Sequence, residues 1–471
     1  MYNGYHGCDV PMTIISQKQR ALGDAPVMGL LLRLALPSMG MMFLNTLVFL
    51  VDSIFVSWLG EEQIAAMSLS LPVAIAFFAV MEGAAAGTTA LTGQNLGRGS
   101  QGTARIAAVS GLTLAYALCV PTVPLFFRGA SAAIFDSLGA MGRSELLGST
   151  YLYNFWWPAT APFIAYTFIS NSVFRCQGDT VTPLISMSIA NAVNIVLDPL
   201  LIFSMDMGIE GAAVATMAGR AAASAYLYFK MRRSGGIFIP VIPRPRMIFV
   251  KYWKNISYIG FPVTIATGSV AIGFGWLNKI LAHFGNYAVV ALMMSLRIED
   301  FSFTIISGVS AALTPFLAFN YGRRDLPRML EGVKAAAVIA SAASLAVGSV
   351  LFVFPHLFID LFRPSPEAAR FAAISIRFAI TAYPFIIAQF MMNSMFVATG
   401  YSFFGTAAQL VRSLLIRVPS AYLFASLWGI DGIWAYQPAS WFFSSIAAWG
   451  FMIYLIRKIK NDFLLEKIKA S

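Results

Sequence analysis

Residues 47–60 read LVFLVDSIFVSWLG, an apolar run broken by one carboxylate, Asp52. The flanking residues extend it into a predominantly apolar stretch over 30–58. A helix needs about 20 such residues to cross the hydrocarbon core of a bilayer. Near the middle of such a helix, a charged Asp costs roughly 2.5–3.5 kcal/mol on insertion scales. Packing alone gives no return on that cost, so Asp52 reads as a functional group.

The rest of the chain repeats the apolar pattern. Its 471 residues are 58% hydrophobic and 11% charged, where a soluble domain carries about 25% charged residues. No polar stretch is long enough for a separate soluble domain. The chain reads as an all-α integral membrane protein with spans near 30–58, 64–93, 104–127, 148–174, 180–203, 209–229, 255–284, 287–319, 331–358, 369–397, 404–426 and 432–456. Barrel strands would alternate with period two over about ten residues, and these do not. Residues 1–20 lack the apolar core of a cleaved signal, so the first span acts as the insertion signal. Cys8, Cys119 and Cys176 are scattered, with neither a disulfide framework nor zinc spacing.

The net charge of +11 would suggest nucleic acid in a soluble protein. Here it follows from cytoplasmic loops rich in Lys and Arg. With both termini inside, 22 Lys and Arg fall in cytoplasmic segments, against Arg128, Arg143, Arg363 and Arg370 outside. The organisation expected is a cytoplasmic N-terminal segment (1–29), a first lobe of six spans (30–230), a cytoplasmic linker (231–254), a second lobe of six spans (255–456) and a basic cytoplasmic tail (457–471).

The two lobes are copies. At a shift of 225, Pro37 meets Pro262, Gly60 meets Gly285, Gly83 meets Gly308, and QNLGR (94–98) meets FNYGR (319–323). At 222, PFI (162–164) meets PFI (384–386) and NSVF (171–174) meets NSMF (393–396); at 221, GIEG (208–211) meets GIDG (429–432). Six spans per copy is an even number. The copies therefore share one orientation and are related by a pseudo-two-fold axis along the membrane normal, as in the parallel repeats of some secondary transporters. Two such bundles leave a cleft between them.

A duplicated chain is its own control. Asp52 lies opposite Leu277 and Ser53 opposite Asn278, while Asn194 lies opposite Ile416 and Asp198 opposite Ser420. The second lobe packs without these carboxylates. Asn191, Asn194 and Asp198 are spaced i, i+3, i+7 and share a helical face. Pro199 follows them. Pro37 lies fifteen residues before Asp52, about 22 Å along a helix, and a proline inside a helix permits a bend. Two carboxylates brought together in low dielectric either share a proton or hold a hard cation with amide and hydroxyl oxygens as further ligands. Asn45, Glu82 and Asn191 are candidates to line the cleft. Arg297, Glu299 and Asp300 read as a local ion pair, Arg220, Arg377, Arg412 and Arg417 as side chains that reach for an interface, the leading reading, or meet an anionic group, and His283 and His356 as non-ligands near span ends. Some of the 22 Met and 39 Phe suit an adaptable apolar cleft.

These features resemble the multidrug and toxic compound extrusion (MATE) family, through LALPSMGMMFLNTLVFLVDSIFVSWLG (34–60), GQNLGRG (93–99), RCQGDTVTPL (175–184), NIVLDPLLIF (194–203), GIEGAAVAT (208–216) and FNYGRRD (319–325). The resemblance implies a V-shaped pair of six-helix lobes in the bacterial inner membrane. It implies a monomer that exports organic, often cationic or amphipathic compounds in exchange for Na⁺ or H⁺, with no cofactor. In DinF-like members the cation site uses a span-one Asp, a span-five Asn and Asp, and a span-six Thr. These match Asp52, Asn194, Asp198 and Thr216, and Pro37 matches the proline of a bendable first helix. NorM-like members carry an acid in span seven, absent from GFPVTIATGSVAIGF (260–274). That points to the DinF-like branch. A lipid-linked-precursor flippase of the same superfamily is the alternative. An intramembrane enzyme or ATP-driven pump has no support, since H-E-x-x-H, G-x-S-x-G and P-loop patterns are missing.

Overall fold

The computed structural model describes residues 14–137, 144–237, 239–240, 249–362 and 364–470. Expectations on Cys8, Arg143, Arg244, Arg246 and Arg363 lie outside the described residues. Among those described, all regular elements are helical. Hydrocarbon demands this, because a backbone without water must satisfy its own polar groups within each segment.

The first half comprises α1 (Ile14–Asp24), α2 (Val27–Ser57), α3 (Glu61–Gly97), α4 (Gln101–Ala117), α5 (Arg128–Phe135), α6 (Ser144–Phe155), α7 (Trp157–Cys176), α8 (Val181–Pro199) and α9 (Gly208–Ser234). The second comprises α10 (Val250–Ala282), α11 (Asn286–Gly322), α12 (Leu326–Val353), α13 (His356–Ile359), α14 (Pro366–Thr381), α15 (Tyr383–Thr399), α16 (Ser402–Leu410), α17 (Arg417–Ile433) and α18 (Tyr436–Ala470). Nine helical segments among the described residues are long and apolar enough to cross a membrane, or ten when α14 and α15, bent by 53° at their junction, count as one span. The spans expected near 148–174 and 209–229 coincide with α6–α7 and α9, helices that do not reach that combination of length and apolarity.

Residues expected as a basic tail continue α18 as helix to Ala470, with Leu455 and Ile459, one turn apart, both fully buried. The N-terminal segment includes the packed helix α1. In α1, Leu22 is buried, and its carbonyl accepts from Asn320 Nδ2 at 3.1 Å and Arg328 Nε at 3.2 Å. Arg323 pairs with Asp24 at 2.8 Å and Lys18 with Asp179 at 3.3 Å, so α1 touches both halves.

Duplication is visible in the packing. Helix α2 packs on α11, and α3 packs on α10; the two pairings are images of one another under the 225-residue shift. Helices α3 and α11 pack across the axis itself. A Cβ on Gly97 would meet the Phe319 carbonyl oxygen at 1.9 Å, and one on Gly322 would meet the Gln94 carbonyl oxygen at 2.1 Å. These contacts are the same contact made twice, since 94 and 97 map onto 319 and 322. Nearer mid-helix, a Cβ on Gly83 would meet Thr264 at 2.3 Å and one on Gly308 would meet Met39 at 2.5 Å, again a symmetric pair. Without a hydrophobic drive between helices in lipid, small residues that admit close backbone approach supply the association.

Gly97→Ala and Gly322→Ala will each lower the melting temperature of the purified protein by several degrees, because the obstructing atoms are backbone. Gly29→Ala, with nothing within 4 Å of a new Cβ, will leave it unchanged or raise it, since Ala exceeds Gly in a helix interior by roughly 0.5–1 kcal/mol. Equal effects at all three positions would remove the close α3–α11 seam as a stabilising feature.

Candidate cation or proton site in the first lobe

Three helices converge on the carboxylates singled out in the sequence. Asp52 comes from α2, Asn194 and Asp198 from α8, and Thr216 from α9. The i, i+4 spacing stacks Asn194 over Asp198 on the face of α8 turned inward, and both are buried. Asn194 Nδ2 donates to Asp198 Oδ1 at 3.4 Å and to Thr216 Oγ1 at 3.3 Å. Asp52 is within hydrogen-bonding reach of Asp198 and Asn194. Asp52 Oδ1, Asn194 Oδ1 and Asp198 Oδ2 are buried with no hydrogen-bond partner in the protein. These three oxygens, with the Thr216 hydroxyl, form an all-oxygen donor set of the kind hard cations take. Among the described residues, no cluster of three or more His, Cys, Asp and Glu exists, so transition-metal binding has no ligand set here.

Two further residues belong to this cluster: Arg220, whose direction the sequence left open, and Tyr153, which the sequence reading did not single out. Arg220 lies close enough to attract Asp52 and donates to Met187 Sδ at 3.6 Å. Of its two readings, interface or anionic group, the second applies: it faces the carboxylates, one helical turn from Thr216. That i, i+4 relation was the available signal. Tyr153 of α6 also lies beside both carboxylates. With Asp52, Asp198 and Arg220 all charged, the cluster carries one net negative charge, which one proton or one monovalent cation neutralises.

The remaining candidates are spread around the site. Asn191 Nδ2 donates to the Leu44 carbonyl at 2.7 Å, tying α8 to α2. Asn45 is exposed on α2. Glu82 is exposed on α3, within 3.4 Å of the Thr267 hydroxyl on α10, which places it at the junction of the lobes. Helix α2 runs without a break through Pro37. Beside that proline, a cavity of about 690 Å³ opens between the halves, lined by Leu36, Met39 and Phe43 of α2, Phe301 and Ile305 of α11 and Val350 of α12.

The second half differs from its sequence reading. Arg297 pairs with Asp300 at 3.9 Å on an exposed face, but Glu299 turns away from both and accepts from Gln437 Nε2 at 2.6 Å in the interior. Arg412 and Arg417 do not reach an interface; they are 2% and 4% exposed. A π-helical turn over Val411–Ile416 widens the helix there and carries both guanidiniums into the bundle. Arg377 is exposed, with Nε donating to the Phe352 carbonyl at 3.3 Å.

Comparison with known proteins agrees with this architecture. The chain is 28% identical to the multidrug export protein MepA of Staphylococcus aureus over 424 residues, covering 87% of this chain and 90% of MepA. It is 26% identical to an FAD transporter of Shewanella oneidensis over 467 residues, covering 96% and 98% of the two chains. Among solved structures, a MATE protein in complex with MaL6 superposes with a TM-score of 0.86 at 25% identity, over 94% of this chain and 99% of that one. An outward-facing multidrug resistance MATE transporter superposes with a TM-score of 0.85 at 25% identity, over 94% and 98%. The MatE family model matches twice, at residues 37–200 and 262–423, once in each copy of the repeat. With both lobes matched and the fold shared end to end, the chain belongs to the MatE family, the MATE transporters of the membrane.

Proposed function

We propose that this protein is a multidrug efflux antiporter that exports organic cationic or amphipathic compounds by alternating access, in exchange for H⁺ or Na⁺ taken up at the first-lobe carboxylates. One observation carries the reading: Asp52, Asn194, Asp198 and Thr216 converge with three unpartnered oxygens in the lobe whose twin has no acid at those positions. Its bacterial inner-membrane location, the cytoplasmic termini, the lobe boundaries at 30–230 and 255–456 and a monomeric state belong to the same proposal.

The mechanism follows from charge balance. Left with one uncompensated negative charge in low dielectric, the cluster is destabilised unless a proton or cation occupies it. Occupation relieves that cost and shifts the equilibrium between the two forms of the lobe, by as much as the ion's affinity for them differs. Asp52 sits on the helix that contains Pro37, and Asn191 clamps the same helix to α8 at Leu44. A bend of α2 at Pro37 then couples the site to the cavity beside that proline. At about 690 Å³, the cavity falls in the range of roughly 300–1,000 Å³ typical of drug-sized ligands, and its apolar lining suits an amphiphile. The similarity to MepA supports drug-like substrates, and the similarity to an FAD transporter supports a flat aromatic moiety among them.

In proteoliposomes loaded with a cationic dye, an imposed gradient of Na⁺ or of H⁺, with the ion more concentrated outside (external pH below internal for H⁺), will drive dye out, and applying the two gradients separately will identify the ion. Asp52→Asn will cut the driven rate at least about tenfold, equivalent to 1.4 kcal/mol, with unchanged expression; normal export by that variant removes Asp52 from coupling. Asp198→Asn will impair driven export more than Asp300→Asn, and the reverse order would move coupling to the second lobe. Pro37→Ala will slow turnover several-fold while leaving the half-saturating ion concentration unchanged.

A further inference from the structure

The second lobe contains a buried charged cluster that the transport reading does not use. Arg412 and Arg417 are buried, and so is Glu299 at 1% exposure. Arg412 Nη1, Arg417 Nε, Arg417 Nη1 and the indole Nε1 of Trp434 have no acceptor in the protein. On the other side of the ledger stands one orphaned carboxylate oxygen, Glu299 Oε1, since Glu299 Oε2 is taken by Gln437. The guanidiniums lie close enough to repel one another, and Arg417 is attracted by Glu299. Arg412 stacks 3.8 Å from the centre of the Trp441 ring and Arg417 4.3 Å from that of Phe274. The rings hold the guanidinium planes but accept few of their N–H groups. Two cations and one anion leave a net charge of one positive and an excess of donors, the arrangement that is costly in a membrane interior unless a counter-charge answers it.

Symmetry gives this cluster its meaning. Gln437 occupies the position of Thr216 under the 221-residue shift, and Arg417 adjoins Ile416, the counterpart of Asn194. The cluster therefore stands where the first-lobe site stands, with its sign inverted: Asp52, Asp198 and Arg220 there, Arg412, Arg417 and Glu299 here. The π-helical turn at Val411–Ile416 contains Arg412 and ends at Arg417, and such turns concentrate at functional sites.

We infer that the second lobe holds a buried site for one anion, clasped between Arg412 and Arg417. The occupant is a halide or a carboxylate or phosphate group, supplied either as a free ion or by a transported compound. Glu299 opposes it and sets its affinity. The site stands whether or not the first-lobe carboxylates couple transport, because it rests on different residues in the other lobe.

The test is a melting titration of the full-length protein in detergent at constant ionic strength, with sodium methanesulfonate, which carries no carboxylate, phosphate or halide, replaced in separate arms by chloride, formate or inorganic phosphate. At least one arm will give a saturable rise in melting temperature. Arg412→Gln and Arg417→Gln will raise the half-maximal concentration at least tenfold, and Glu299→Gln will lower it. A response to chloride assigns a free halide; a response to formate or phosphate alone assigns the anionic group of a larger compound. Absence of a saturable response in every arm overturns the site. So does a shift of the midpoint in the same direction by all three variants, the mark of a structural role. If the arginine variants do not fold, Glu299→Gln still decides, since unchanged or weaker anion binding in it overturns the proposal.

Discussion

A charge inside hydrocarbon has to be answered by an opposite charge, a bound ion or a proton, and this constraint organises both halves of the molecule. The first-lobe cluster brings together Asp52, Asp198 and Arg220, and the second-lobe cluster Arg412, Arg417 and Glu299; with all six groups charged, as in the proposals above, the first is left one charge negative and the second one charge positive. Neighbouring dipoles reduce the imbalance without removing it: the carboxamides of Asn194 and Gln437 each spend a donor on a carboxylate. A fold in which every buried charge found a protein partner would have no reason to bind an ion and no lever by which binding could change its shape.

At the seam the lobes bring backbone close to backbone. Glycines at 83, 97, 308 and 322 bring α2, α3, α10 and α11 so close that added methyl groups would collide with main-chain or neighbouring atoms. Such a seam has few intermediate positions. It is closed, or it parts along a smooth surface, which suits two bundles that move as bodies. Helix α1 lies across one end and touches both halves through Lys18–Asp179 and Arg323–Asp24. The exposed Arg323–Asp24 pair contributes about 0–1 kcal/mol, whereas Asp179 is buried; the buried Leu22 and the hydrogen bonds to its carbonyl also hold α1 in place.

Much of this was legible in the residues themselves. Helices follow from apolar runs in a solvent that tolerates no unpaired backbone, and the parallel repeat follows from an even number of spans per copy. The spacing of Asn191, Asn194 and Asp198 assigns them to one face, because a helix imposes its period on side chains. The lack of acids at the equivalent positions of the second copy singled out Asp52 and Asp198 without any reference outside the chain.

Tertiary structure decided what period and composition do not encode. Which helices face each other across the axis, and that α1 docks instead of hanging free, depend on contacts between residues hundreds of positions apart. The fate of the arginines is the clearest case. A guanidinium on a long flexible stem can reach an interface or turn inward from the same helical position, so sequence leaves its direction open. Arg220 turns toward Asp52, and a π-helical turn rotates Arg412 and Arg417 into the core. The sequence by itself determined a duplicated helical membrane protein with acids in one copy; only the folded chain decided where the cations went, because the choice between lipid, water and a buried carboxylate is made by packing, not by propensity.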